Sequence, residues 1–155
     1  MYSGPHSDRG RGPRGWVTWL PWIFTWVTIV GQVVWVLLPS GGRQVLTALT
    51  VVTFFAASIS HAWLRRGVAW TLGFVAISVG FGFAIEAIGV ATTLPFGAYS
   101  YSELLGPRLL GVPLLIPLAW SMVSYPALLA AQRLSSTGVG TALIGGWLLM
   151  AWDLF

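Results

Sequence analysis

Two carboxyl groups stand in this chain where lipid-like sequence should leave none. Glu86 interrupts the apolar run "VAWTLGFVAISVGFGFAIEAIGVAT", and Asp153 interrupts "GVGTALIGGWLLMAWDLF". An ionisable side chain in such a setting is costly unless it faces protein or water, so it is a functional candidate by default. Two carboxyls brought together from different helices can divide acid and base duties, one giving a proton and the other taking one. The competing reading makes Glu86 an acid that reaches the interface from a helix end, and puts Asp153 in a loop. The neighbours of Glu86 favour the inward reading. At about 100° per residue Gly82, Glu86, Gly89 and Thr93 share a face, and small residues there let another helix approach closely.

The rest of the chain says what must position these acids. Of its 155 residues 56% are hydrophobic and 8% charged, far from the composition of a soluble domain. No Asp, Glu, Lys or Arg occurs from Gly15 to Gly42, Gln44 to Leu64, Gly67 to Ile85, Leu109 to Gln132 or Leu134 to Trp152. Each run approaches or exceeds the roughly 20 residues that cross a bilayer core, and within lipid such segments must be helical. The sequence therefore predicts an all-α, polytopic transmembrane helical bundle. Its spans fall near 16–38, 45–64, 67–90, 112–131 and 138–155. Residues 1–15 read as a basic disordered arm ahead of the helical domain 16–155. The first span is too long for a signal peptide and no small-x-small cleavage site follows it. The sequence stops inside an apolar run at "LLMAWDLF", so a longer protein, truncated here, is expected.

Charge gives the orientation. With an inside N-terminus, Arg9, Arg11, Arg14, Arg65, Arg66 and Arg133 fall on the cytoplasmic side, and Arg43 and Arg108 outside. This positive-inside bias predicts a multi-pass protein of the plasma membrane with a cytoplasmic N-terminus. The net charge of +4 is thereby read as topology and contact with anionic lipid in the bilayer, not as nucleic-acid binding. There is no cysteine, and His6 and His61 are the only histidines, too few for a di-iron site in this part of the chain. No phosphate loop, nucleophile elbow or metal-ligand cluster is present, and "GVGTALIGG" opens a membrane helix.

Depth brings the acids together. Asp153 lies about 22 Å along a helix that starts inside near Gly138, close to the expected depth of Glu86. Gly146 and Ala142 share its face. Above them runs "PFGAYSYSELLGP", the outer link between the third and fourth spans. A pocket of two carboxyls beneath a Tyr/Ser/Glu loop is the result. His61 sits one turn from the opposite end, where a bond to a carbonyl or a lipid phosphate is expected, and it is on the wrong side to work with Glu86. Trp16, Trp19, Trp22 and Trp26 fall within about a 120° arc of the first helix, which suits an interfacial belt better than a wall for a long apolar ligand. Pro117 and Pro126 lie inside the fourth span, and each frees a carbonyl one turn earlier.

From Glu86 onward the chain reads "EAIGVATTLPFGAYSYSELLGPRLLGVPLLIPLAWSMVSYPA", followed by "GWLLMAWDLF". This resembles the carotenoid biosynthesis protein family that contains the CruF-type carotenoid 1,2-hydratases, including the bisanhydrobacterioruberin hydratases. The shared signature is a glutamate helix, Pro-Phe-Gly-x-Tyr-x-Tyr, Leu-Gly-Pro, Gly-Val-Pro, a Pro-rich helix with Ala-Trp, and a helix ending in Trp-Asp. It covers about Gly82 to Phe155, and its combination of motifs is specific. Members often carry Gly where Thr93 stands and continue beyond Trp-Asp with further spans. The resemblance implies addition of water to the terminal C=C of an acyclic carotenoid end group, giving a tertiary alcohol. It implies no cofactor, and possible partnership with other membrane enzymes of carotenoid synthesis. Glu86 and Asp153 are then the catalytic acids, one protonating the alkene and the other orienting water. Tyr99, Tyr101, Phe96 and Trp120, which stand in the shared motifs, are the substrate-binding candidates. Tyrosine rings can hydrogen-bond the water or present their faces to the developing cation.

Two other classes fit parts of the sequence. A non-catalytic carotenoid-binding or assembly subunit would use the Trp-rich faces and need neither acid. A proton-coupled transporter should show a repeat with polar groups near the midplane, and none is visible.

Overall fold

The computed structural model describes residues 15–94, 97–102 and 105–153. The basic arm, apart from Gly15, lies outside these residues. A 3₁₀ turn over Val17–Trp19 leads into helix α1 (Leu20–Leu37). There follow α2 (Ser40–Arg66), α3 (Val68–Thr92), α4 (Leu115–Leu134) and α5 (Gly138–Asp153). Val17–Leu37, Gly41–Arg66, Val68–Thr92 and Leu115–Leu134 are each long and apolar enough to cross a membrane. The protein is an all-α polytopic bundle. Its fifth helix is apolar but has 16 residues, about 24 Å of rise, so it is shorter than the other four.

The helix ends refine the sequence reading in two places. The second helix begins at Ser40, not 45, because Arg43 sits within its first turns and donates from Nε to the carbonyl of Leu38 at 2.7 Å. That carbonyl is one a helix end would otherwise leave to solvent. The fourth begins at Leu115, not 112, because Val112–Pro113 forms strand β2 against β1 (Arg108–Leu109). The turn between the strands is Leu110–Gly111, with φ of 50° and 83°. Two positive φ values are what a two-residue hairpin turn needs to match strand twist. Val112 and Pro113 are fully buried, so the hairpin plugs the end of the bundle.

Helix α4 is the hub. It packs on α2, α3 and α5, whereas α1 packs chiefly on α2. Its buried set, Pro117, Ala119, Ser121, Met122, Tyr125, Ala127 and Ala131, is mostly small and spread around the helix. Small side chains are what allow three neighbours to approach one helix in lipid, where van der Waals packing replaces the hydrophobic effect. Polar contacts add register. Ser78 on α3 donates to Ser121 on α4 at 2.8 Å, and Thr28 on α1 meets Thr53 on α2 at 2.8 Å.

The helix prolines divide. Pro117 lies in the first turn of α4, where backbone N–H groups have no helical partner anyway, so it breaks nothing. Pro126 is interior and removes the donor that the Met122 carbonyl would have used. Ser58 of α2 replaces it, donating from Oγ to Met122 O at 2.8 Å. Ser58→Ala is therefore expected to cost about 1 kcal/mol of unfolding stability. In a Pro126→Ala background, where the helix supplies its own N–H, that cost should shrink towards zero. Thermal denaturation in detergent, followed by helical circular dichroism, reads both. Equal costs in the two backgrounds would show that the serine does not serve this carbonyl.

Candidate active site

Glu86 sits two turns before the end of α3 and is 6% exposed. Gly82 and Gly89 on the same face are also buried, while Thr93 caps the helix in a left-handed conformation, φ 63°. A β-branched residue rarely adopts that conformation and glycine adopts it freely, so the helix end pays a local strain. The missing Cβ at Gly82 is filled by Trp120. A Cβ built there would lie 2.6 Å from Cγ of that indole and 2.7 Å from its Cβ. This contact draws α4 against α3 and brings the indole N–H to the carboxyl group.

Three donors converge on it. Trp120 Nε1 donates to Glu86 Oε1 at 2.9 Å. Tyr99 and Tyr101 donate from their hydroxyls to Oε2, at 2.8 and 2.5 Å. The two tyrosine rings pack edge to face, 5.5 Å between centroids. Arg108, on β1, donates to the Tyr101 carbonyl at 2.7 Å and so fixes the backbone that carries one of these donors. The phenol of Tyr101 is pushed well above the ordinary tyrosine range, first by burial and then by its bond to Glu86 and the carboxylate charge. Near neutral pH it is therefore a neutral donor. The cage is a hydrogen-bond acceptor ringed by three aromatic side chains, and its walls come from α3, the following loop and α4.

Of the residues singled out in the sequence, the structure thus gathers Glu86, Tyr99, Tyr101 and Trp120. Phe96 lies outside the described residues. Asp153 is the last residue of α5, and its side chain lies outside them too. The tryptophans of the first helix face outward: Trp16, Trp19, Trp22 and Trp26 are each more than three-fifths exposed. For His61, Nδ1 meets not a carbonyl but the hydroxyl of Tyr125 on α4, at 2.9 Å. Tyr125 in turn edges onto Trp70 and Phe74, which stack on one another. Sequence reasoning missed this pair because its members are far apart in the chain. The available signal was Tyr125 itself, a phenol inside an apolar helix at the level of His61. Among the described residues no group of three or more His, Cys, Asp or Glu is placed to hold a metal ion.

A polytopic helical membrane protein with an aromatic-caged carboxylate near one end of its bundle is the class that fold and site define. The chain belongs to the carotenoid biosynthesis protein family, whose model matches residues 43–155. That match takes in α2 from Arg43 onward, α3 to α5 and every member of the cage. Comparisons with curated proteins and with solved structures gave no match.

Proposed function

We propose that this protein adds water to the terminal C=C of an acyclic carotenoid end group, as in the hydratase branch of its family. The observation that carries the reading is the Glu86 carboxyl group ringed by the Trp120, Tyr99 and Tyr101 rings. Protonation at the less substituted alkene carbon leaves a tertiary cation at the other. Water attacks that cation and loses a proton, so the sum is one water added. Because three donors already point at it, Glu86 takes the accepting role: as carboxylate it orients water and receives its proton. The aromatic faces around it stabilise the cation. The donor role then goes to Asp153, the second carboxyl group of the resemblance, which stands in the Trp-Asp motif. An extended carotenoid is about as long as the bilayer core is thick, around 30 Å, so its end groups lie near the interfaces. Glu86 is six residues from the end of α3, about 9 Å, which suits such a chain end.

The positive-inside rule gives the orientation. Arg65, Arg66 and Arg133 all lie at the end of the bundle away from Glu86, so that end faces the cytoplasm, which a reporter fused after Arg133 would read directly. Membranes containing the protein, supplied with an acyclic carotenoid in isotopically labelled water, should yield a product one labelled water heavier. A product without label, or none, would remove the hydratase reading. One observation favours a non-catalytic role instead: both oxygens of Glu86 are already engaged, so the cage can serve as a clasp between loop and helices. In that case pigment would be bound and recovered unchanged.

A further inference from the structure

The arginine-rich end of the bundle carries a second built feature, unrelated to the Glu86 cage. Between α1 and α2 lies a cleft of about 410 Å³ whose lining includes Thr18, Trp19, Trp22, His61 and Arg65. Beside it, an open recess of about 220 Å³ runs between α1, α2 and α4, lined by Thr25, Phe54, Ala57, Pro126 and Leu129 among others. Pro21, Trp22 and His61 border both, so the two spaces are neighbours. The cleft carries the cationic Arg65 and is the more polar of the two, and the recess is the more apolar. That gradient is the shape of an amphiphile.

The charges at this end are not equivalent. Arg66 is committed, donating to Gln132 Oε1 at 2.7 Å and lying 5.4 Å over the ring of Trp70. Arg65, one residue earlier, lines the cleft, and among the described residues no side chain hydrogen-bonds it. His61 uses Nδ1 for the Tyr125 hydroxyl. With the phenol donating there, the neutral imidazole carries its proton on Nε2, a donor suited to an anion. Trp19 and Trp22 put exposed indoles beside it, at the depth where headgroups meet chains.

We propose that this cleft binds one anionic phospholipid. Its phosphate lies against Arg65 and His61, and an acyl chain enters the recess towards Ala57 and Leu129. A free phosphate would use the cleft but gain nothing from the recess, whereas phosphatidylcholine brings a quaternary ammonium beside its phosphate, and that cation repels Arg65.

The test uses the whole protein reconstituted in phosphatidylcholine bilayers containing phosphatidylglycerol, with retained lipid counted by native mass spectrometry. Wild type should keep one phosphatidylglycerol per chain in preference to phosphatidylcholine. Arg65→Gln should lower that preference about tenfold, while Arg133→Gln, the same charge change at the same end, should leave it. Thr25→Phe, which narrows the recess with every charge kept, should also release the lipid. Equal losses in Arg65→Gln and Arg133→Gln would reduce the effect to general surface charge and overturn the site. Displacement of the lipid by excess inorganic phosphate, or retention in Thr25→Phe, would overturn the phospholipid as occupant. Circular dichroism of each variant separates lost lipid from lost fold.

Discussion

In Gly82→Ala the seam between α3 and α4 should open. The added methyl meets Cγ and Cβ of Trp120 at 2.6 and 2.7 Å, atoms close to the α4 backbone that no rotamer change carries far. The helices must move apart, and the bond from the indole to Glu86 stretches with them. Overpacking of this kind costs about 1–3 kcal/mol and occasionally more. Intrinsic helix propensity pulls the other way, since Ala exceeds Gly by about 1 kcal/mol. Two controls isolate the clash. Gly73 and Gly80 lie on the same helix with open space at the Cβ position, so Ala there should leave stability level or raise it slightly. Thermal unfolding in detergent, followed by helical circular dichroism, distinguishes them. If all three variants behave alike, the close approach at Gly82 is not what holds the seam.

The largest effect on chemistry should come from Glu86→Gln. Trp120 can only donate, so the amide oxygen of glutamine must face it, and the amide nitrogen then faces Tyr99 and Tyr101. The tyrosine oxygens can accept, so the cage survives in outline with its donors reversed. Expression and pigment retention should therefore persist. Water addition should fall by about 10²–10⁴-fold, the usual contribution of a general base. Asp153→Asn is expected to fall as far if that residue supplies the proton. Product mass measures both. Near wild-type rates in both variants would move the chemistry to other residues and leave the cage as a clasp.

How far these features were legible in the sequence depends on the distance each interaction spans. Helices followed from charge-free runs, because lipid forces the backbone to satisfy itself locally. The inward face of Glu86 followed from Gly82 and Gly89, about one turn before it and one turn after it on the same helix. Trp120 could be named from a motif, but not its bond to Glu86, because that depends on the register between α3 and α4. The His61–Tyr125 pair was hidden for the same reason. The hairpin was hidden for a different one: Leu110 holds a positive φ that leucine seldom adopts, so nothing in "RLLGVP" marked a two-residue turn except Gly111. Ser58 shows the middle case. Pro126 announced an orphaned carbonyl, and only the packing of α2 on α4 revealed who answers it.

The central place of α4 sets the order in which the molecule can be finished. Helices α2 and α3 leave synthesis as neighbours joined by the single residue Gly67, yet they pack on each other far less than each packs on α4. Until α4 has been made, Ser58 and Ser78 lack the partners that α4 brings, and Glu86 lacks the indole of Trp120. The two earlier helices thus wait in the bilayer as an open fork. Neither the carboxylate cage nor the hub around Ser121 exists before the later helix enters between them.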